Sequence, residues 1–430
     1  VKGKRVLSRN FLLWIIGCGV ISSLTGFMFA HFWHNPSSRA WFEIEFWKQW
    51  LRFGETLRLS HTEYHDVNKS GYVNLTESAI RGMISGLDNN SIYYNSQQYS
   101  IFQDDSQRQY HGIGVMIRAI ESGVLVTKVF PEGPAEKVGL KVGDLIVRVN
   151  QENVEGLELV YISSRIKGSE GSFVEIEIKR EGVSHIFKVQ RGQIKVSTVN
   201  NYFVDEDKIG LLHLMQFSPR SRDELANALQ EMMSQGMKGL ILDLRDNAGG
   251  LLSTAIDVAS FFLPGDQLLV ELRGRGEDKA RSFRTREIEP KLEIPMIVLI
   301  NESSASASEI VAGSLSVLGR AQTLGEKSYG KGSVQTVYPL RGNSGLRLTT
   351  AMYYLPDGST IHEQGLLPDH LVACSDENES KLRIQRSLNN EDIDSLDFPD
   401  VFGFEPVKDT QIEEAKKILY LKLNKSLKDD

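Results

Sequence analysis

MIVLI (Met296 to Ile300) runs directly into NESSASASEI (Asn301 to Ile310), and the reading of this stretch decides the fold. Five consecutive apolar residues, with no polar alternation, describe a strand buried on both faces. The small-residue turn after it leads into a helix whose Ile310, Val311, Ser314, Leu315 and Leu318 form one stripe. Strand, tight turn and helix in this order are the unit of an α/β layered core. The turn also carries chemistry in principle: a helix N-terminus exposes unpaired N–H groups, which can hold a developing oxyanion. Four serines in six residues are equally the composition of a plain helix cap.

Upstream, LILDL (Leu240 to Leu244) is a second run of the same kind. The helix before it is expected to open at Ser221 with Glu224 three residues on as a capping box, to bury Leu225, Ala228, Leu229 and Met232, and to stop near Gly236. DLRDNAGG (Asp243 to Gly250) follows the run and precedes a helix expected over Thr254 to Leu263. Paired glycines there let a backbone N–H face a bound carbonyl, or simply make a tight turn. Downstream lies YGKGSVQ (Tyr329 to Gln335). If extended, it places Lys331 and Gln335 on one face. A lysine between glycines, taken alone, is as well explained by a solvated turn, and the spacing is wrong for a phosphate loop.

The segment from about 105 to 193 has another texture: short strands over Val115 to Ile117, Val124 to Val129, Leu145 to Val149 and Phe173 to Ile178, with glycine turns between them and a short helix over Gly133 to Val138 opened by Pro134. Before it, residues 34 to 104 read as helical. A helix over Leu75 to Leu87 is expected, capped by Asn74 and Glu77, with Ile80, Met83, Ile84 and Leu87 on one face. After Ser375 the chain reads as an acidic loop ending in a helix from about Thr410 to Leu427.

The whole chain has 430 residues, 41% hydrophobic and 24% charged, with a formal charge of −7. That is a folded protein of several packed units with no basic surface to recruit nucleic acid. Cys18 and Cys374 give no disulfide framework. No HExxH or clustered Cys/His spacing exists, so no metal or cofactor is expected. His213 and His362 sit in no recognisable nucleophile elbow, which sets a Ser-His-Asp triad aside. From Phe11 to Ala30, twenty residues carry no charge, behind Lys2, Lys4, Arg5 and Arg9. This predicts a membrane-crossing helix with the basic flank inside, favoured over a cleaved signal because Met28 occupies a small-residue position.

In order along the chain, GYVNLTESAIRGMISGLDNNS, HGIGVMI, GPAEKVGLKVGDLI, GLILDLRDNAGGLL, INESSASASEIVAGSL, GEKSYGKGSVQ and LTTAMYYLPDGSTIHEQGLLPD resemble the C-terminal processing peptidases, or tail-specific proteases, over residues 70 to 370. The resemblance implies Ser306 as nucleophile, Lys331 as general base, Gln335 orienting the lysine, and the N–H groups of Ala307 and of Gly250 or Gly249 as oxyanion hole. It also implies a PDZ domain whose Gly112-Ile113-Gly114-Val115 loop binds a terminal carboxylate, the peptide adding as a strand beside Val115 to Ile117. Arg165 and Lys167 are candidates for relaying that binding. Ala248 departs from the family's usual proline. For Lys331 to act as base, its amine has to be neutral, a form that desolvation in a narrow cleft favours.

The expected organisation is therefore a cytoplasmic tail (1–10), a transmembrane anchor (11–33), a helical region (34–104), a PDZ domain (105–193), a crotonase-like serine peptidase core (194–372) and a C-terminal helical region (373–430). The expected function is endopeptidase cleavage of exported proteins near their C-termini, outside a bacterial inner membrane. The expected partners are those tails and the membrane, with a second copy of the chain or an adaptor protein admitted as well. The competing expectation is a catalytically silent adaptor that binds tails through the PDZ domain alone.

Overall fold

The computed structural model describes residues 43–106, 111–120, 123–194, 197–276, 280–289, 291–388 and 398–429. The expected anchor at 11–33 lies outside them; among the described residues no helix is long and apolar enough to cross a membrane. The chain divides into a unit ending at Tyr93 and a larger one beginning at Tyr94.

In the first unit, α1 (Ile44–Glu63) is followed by α2 (Tyr72–Ser85). The expected Asn74 cap is corrected. Gly71 takes the extended N-cap conformation and its carbonyl receives the Leu75 N–H at 3.0 Å, so Asn74 lies inside the first turn. Of the expected apolar face, Ile84 is buried while Met83 and Leu87 are exposed.

The strand-rich region expected to be a PDZ domain is built from β1 (Val115–Ile120), β2 (Gly123–Val129), β3 (Leu145–Val149), β4 (Phe173–Arg180) and β5 (Val183–Gln190), with α3 (Pro134–Lys137) and α4 (Leu159–Ile166). The strands pair in that order, which leaves β1 at an edge. In β4, Val174, Ile176 and Ile178 are buried at alternate positions, the period of a half-buried strand. Neither β5 nor α4 was expected. Exposed β5 carries no buried alternation until Val189, and α4 is only two turns long, below the length at which periodicity speaks.

The region after residue 197 centres on β6 (Val199–Val204), β7 (Ile209–Leu214), α5 (Ser221–Ser234), β8 (Gly239–Asp243), α6 (Leu252–Ser260), β9 (Leu268–Gly274), β10 (Arg281–Arg284), β11 (Met296–Ile300), α7 (Ala307–Val317), β12 (Gln322–Gly325), β13 (Ser333–Leu340) and β14 (Ser344–Tyr354). Its main sheet runs β6-β7-β8-β11-β12, parallel from β7 onward, and closes with His370–Leu371. A second, antiparallel sheet joins β13, β14, β9 and β10.

The two apolar runs behave as strands covered on both sides. Leu240, Leu242, Met296, Val298 and Ile300 face the cluster built with α5, α6 and α7. Ile241, Ile297 and Leu299 face the opposite cluster, with Ala415 and Leu419 of the last helix. Burying each such side chain contributes about 1.5–3 kcal/mol.

Two further expectations are corrected. Ser221 does not cap α5: its hydroxyl donates to Gln216 O at 2.8 Å, and Glu224 instead receives Thr198 N–H at 2.6 Å and Arg220. The acidic stretch after Ser375 is a helix, α8 (Asp376–Ser387), with Ser375 accepting from Asn378 N. Acidic residues there favour a helix start, since carboxylates suit the positive end of the helix dipole. The final helix, α9, spans Thr410–Asp429.

Candidate active site and tail groove

In the parallel sheet, β7, β8, β11 and β12 are neighbours, and their carboxyl ends open into Met215-Gln216-Phe217, the Arg245–Gly250 turn, the Asn301–Ser306 turn and the Glu326–Gly332 loop. Open α/β sheets bind ligands along this edge. Topology therefore brings together the three segments that sequence nominated separately.

Ser306 is the N-cap of α7 and has φ +55 and ψ −111. A non-glycine residue held there is strained, and such strain concentrates at functional sites. Its carbonyl accepts from Ile310 N at 3.0 Å along the helix. In a trans peptide the next N–H points the other way, so that of Ala307 faces out of the helix N-terminus.

The glycine turn is packed directly on this one. A Cβ on Gly249 would lie 2.6 Å from Ala305 O and 2.9 Å from both Ala307 N and Ser306 Cβ, and φ there is +94. Gly249 N–H donates to Asn247 Oδ1 at 2.9 Å, so it is spoken for. Gly249 O accepts from Phe217 N at 3.1 Å, which turns the Gly250 N–H to the opposite side. Of the two glycines, Gly250 thus offers the outward donor. Fully buried Asn247 fixes the turn: its side chain also donates to Leu214 O at 2.6 Å, and its carbonyl receives Ala305 N and the Ser308 hydroxyl.

Lys331 is half-buried, and among the described residues its amine has no ion pair or hydrogen bond. Its glycines are not a solvated turn. Gly330 has φ +91, and a Cβ on Gly332 would meet His362 N at 2.5 Å. The expectation that residues 331, 333 and 335 share one face by strict alternation is corrected. Lys331 precedes β13, and a bulge falls between Val334 and Gln335. Gln335 Nε2 donates to Ser333 Oγ at 2.9 Å and to Thr349 Oγ1 at 3.5 Å; no bond joins it to Lys331.

Glu309, a residue given no role by the sequence, joins the serine and lysine segments, beside a direct bond from Tyr329 N–H to Ser304 O at 3.0 Å. Glu309 is fully buried. One carboxylate oxygen accepts both Ser306 N–H (2.8 Å) and Lys331 N–H (2.9 Å); the other accepts Gly330 N–H (2.7 Å) and the Ser328 hydroxyl (2.6 Å). The signal was present as the third residue after a cap serine, but the lysine-side partners lie 19 to 22 residues on.

Behind the site stands a buried ionic layer. Burial pushes the Asp243 carboxyl up, but the Arg245 charge and hydrogen bonds outweigh it and hold the group at about 2. Arg245, with no exposed surface, also binds Asp409 and Gln411 at the start of α9. Asp246 is likewise opposed by burial and held low by Arg386. Burial keeps His213 below its ordinary value despite Asp243; its Nε2 lies 3.3 Å from Arg245 O.

The Gly112-Ile113-Gly114-Val115 loop borders a cavity of about 310 Å³ between edge strand β1 and α4, lined also by Phe130, Ile166 and Lys167. Ile113 O and Gly114 O accept inward from Ala135 N (2.7 Å) and Phe130 N (3.0 Å). The Gly114 and Val115 N–H groups consequently face the cavity. Arg165 turns elsewhere, to Tyr161 and Glu152 within the same region.

A model described as peptidase family S41 matches residues 208–372, and a PDZ domain model matches residues 101–179. The carboxy-terminal-processing protease of Bartonella bacilliformis is 37% identical over 332 residues, 76% of this chain and 75% of its own length. The carboxy-terminal processing protease CtpB of Bacillus subtilis is 32% identical over 342 residues, covering 76% and 70%. Among solved structures, a photosystem II D1 C-terminal processing protease aligns over 75% of this chain and 92% of its own, at 27% identity and a TM-score of 0.44.

Proposed function

The chain belongs to peptidase family S41, among the carboxy-terminal processing serine proteases, and from that premise we propose that a Ser306/Lys331 dyad cleaves exported proteins recognised by their C-terminal tails. The observation that carries the dyad is the single Glu309 oxygen accepting the N–H groups of both residues.

In this reading the neutral Lys331 amine takes the Ser306 hydroxyl proton as Oγ attacks the scissile carbonyl. The oxyanion forms between the Gly250 and Ala307 N–H groups. The C–N bond breaks as Lys331 returns the proton to the leaving amine, and water then hydrolyses the acyl-enzyme by the same path. The Gln335 carbonyl, with Nε2 already committed to Ser333, is the atom left to orient the amine. Tails enter beside β1, with the terminal carboxylate at residues 112–115 and the last side chain in the apolar cavity. The core is of the crotonase-like kind. We place the enzyme on the outer side of a bacterial inner membrane, on the strength of the uncharged run at 11–30 behind four basic residues.

The test is a tail-bearing reporter incubated with the parent, Ser306→Ala and Lys331→Ala. Cleavage is expected from the parent, with turnover by each variant lower by at least about 10³-fold. Equal cleavage by Lys331→Ala sinks the dyad, and carboxylate-dependent binding without cleavage by the parent points to a silent adaptor instead.

A further inference from the structure

A second cavity, of about 450 Å³, opens where β1 and β2, the end of β7 and α8 meet, and the proposed reaction makes no use of it. Its walls carry three guanidinium groups, Arg118 of β1 and Arg383 and Arg386 of α8, against a single carboxylate, Asp246. That carboxylate is already held from two directions: Arg383 Nε donates to one oxygen and Arg386 Nε to the other, each at 3.0 Å. Glu379, outside the lining, takes a further bond from Arg386. The lining itself stays positive. Among the described residues the exposed Arg118 side chain has no ion pair or hydrogen bond, and Arg383 Nη1 is likewise unused.

Two buried polar groups in the same walls are unanswered. His213 is 6% exposed; its Nε2 lies 3.3 Å from Arg245 O, and its Nδ1 has no partner. Thr127 is 7% exposed, and among the described residues its hydroxyl bonds to nothing. Buried polar atoms are ordinarily satisfied, so orphans of this kind mark a place that a bound group completes.

A guanidinium is a planar fork that matches the oxygens of carboxylate or phosphate. One carboxylate is met by one fork. Three forks and a hydroxyl suit a group with three acceptor oxygens and up to two negative charges. A phosphate alone leaves much of the space unfilled, and the rest of the wall includes apolar Met116, Met215 and Ile384.

We propose that this cavity binds a phosphate monoester, its oxygens held by Arg118, Arg383, Arg386 and Thr127 and its organic part against Met116, Met215 and Ile384. A proton shared between the ester, whose second pKa is about 6, and His213 Nδ1 satisfies that nitrogen whichever of the two holds it. A free ester and a lipid headgroup share this chemistry.

Isothermal titration of the full chain compares n-propyl phosphate, inorganic phosphate, butyrate and soluble dihexanoyl phosphatidic acid at one ionic strength. Propyl phosphate is expected to bind at least about fourfold more tightly than inorganic phosphate, the value of one buried methylene. Arg118→Ala should weaken it by about tenfold or more, as for a lost hydrogen bond to a charged group, and Thr127→Val by about fivefold. Exposed and unpaired, Arg118 can be removed without threatening the fold. Arg148→Ala removes an equal charge from β3, outside the lining, and should change affinity by less than about twofold. Tighter binding of the lipid phosphate names a headgroup as the source, and tighter binding of propyl phosphate a free ester; both support the site. No saturable binding of any phosphate up to about 10 mM overturns it. Equal weakening by Arg118→Ala and Arg148→Ala overturns it as well, by reducing the binding to general surface charge. Butyrate bound as tightly as propyl phosphate overturns the phosphate assignment.

Discussion

The molecule holds two glycine turns that, in the proposed function, aim backbone N–H groups at a negative charge, and they are secured in opposite ways. The tail loop at Gly112–Val115 rests on apolar packing, with Ile113 buried and two carbonyls bonded to neighbouring backbone. The turn at Gly249–Gly250 is locked by side chains: Asn247 below it, the Ser306 turn against it and the Arg245 ion layer behind it. A formed carboxylate tolerates a loop that adjusts around it. An oxyanion that exists only in the transition state rewards donors fixed in advance. Polar scaffolding is costly to bury and holds geometry tightly; apolar scaffolding holds place and leaves orientation freer.

That contrast breaks first at Gly249. Gly249→Ala puts a Cβ into Ala305 O and the Ser306 turn, so kcat/KM is expected to drop about 10³-fold while tail anisotropy stays unchanged. A drop below tenfold would mean that the turn adjusts as the tail loop does. Glu309→Gln is next. It presents an NH₂ group to N–H donors on one side, so kcat should fall about 100-fold, and chemical denaturation should show a loss of roughly 2–4 kcal/mol. Full activity at reduced stability would demote Glu309 to scaffolding only.

Gly114→Ala tests the other turn. With φ +80 but no atom closer than 3.3 Å to the new Cβ, it should weaken the tail by about tenfold through backbone strain and leave hydrolysis of an amidated peptide unaltered. The smallest effect is on pH. Burial keeps folded His213 unprotonated below its ordinary 6.5, while the unfolded chain gains that proton. Stability should therefore decline as pH falls from about 6.5, by at most about 1.4 kcal/mol per unit, with no contribution above about 7.5. Thermal unfolding of His213→Asn from pH 5 to 8 should lack that component, and an identical slope would refute it.

The elements legible in the sequence were those whose pattern is local. MIVLI and LILDL announced their burial by composition, and Pro134 marked the start of α3. The proposed chemistry is suggested only by family resemblance, because Ser306 and Lys331 each have a bland local explanation. What stayed hidden depends on distant partners. The groove needs α4, too short to show a period. Glu309 gains its meaning from Ser328, Gly330 and Lys331. The cap expected at Ser221 failed for the same reason: Gln216 O and Thr198 outcompeted the helix for its two polar groups.

The shared oxygen of Glu309 has a consequence for tolerance to motion. Two reactive segments fixed to separate supports would drift independently, and their errors would add. Tied to one oxygen, with Tyr329 N–H bonded to Ser304 O beside it, the Ser306 and Lys331 backbones move together. Thermal displacement of the support then becomes common-mode noise, which leaves the spacing between the proposed nucleophile and base largely untouched.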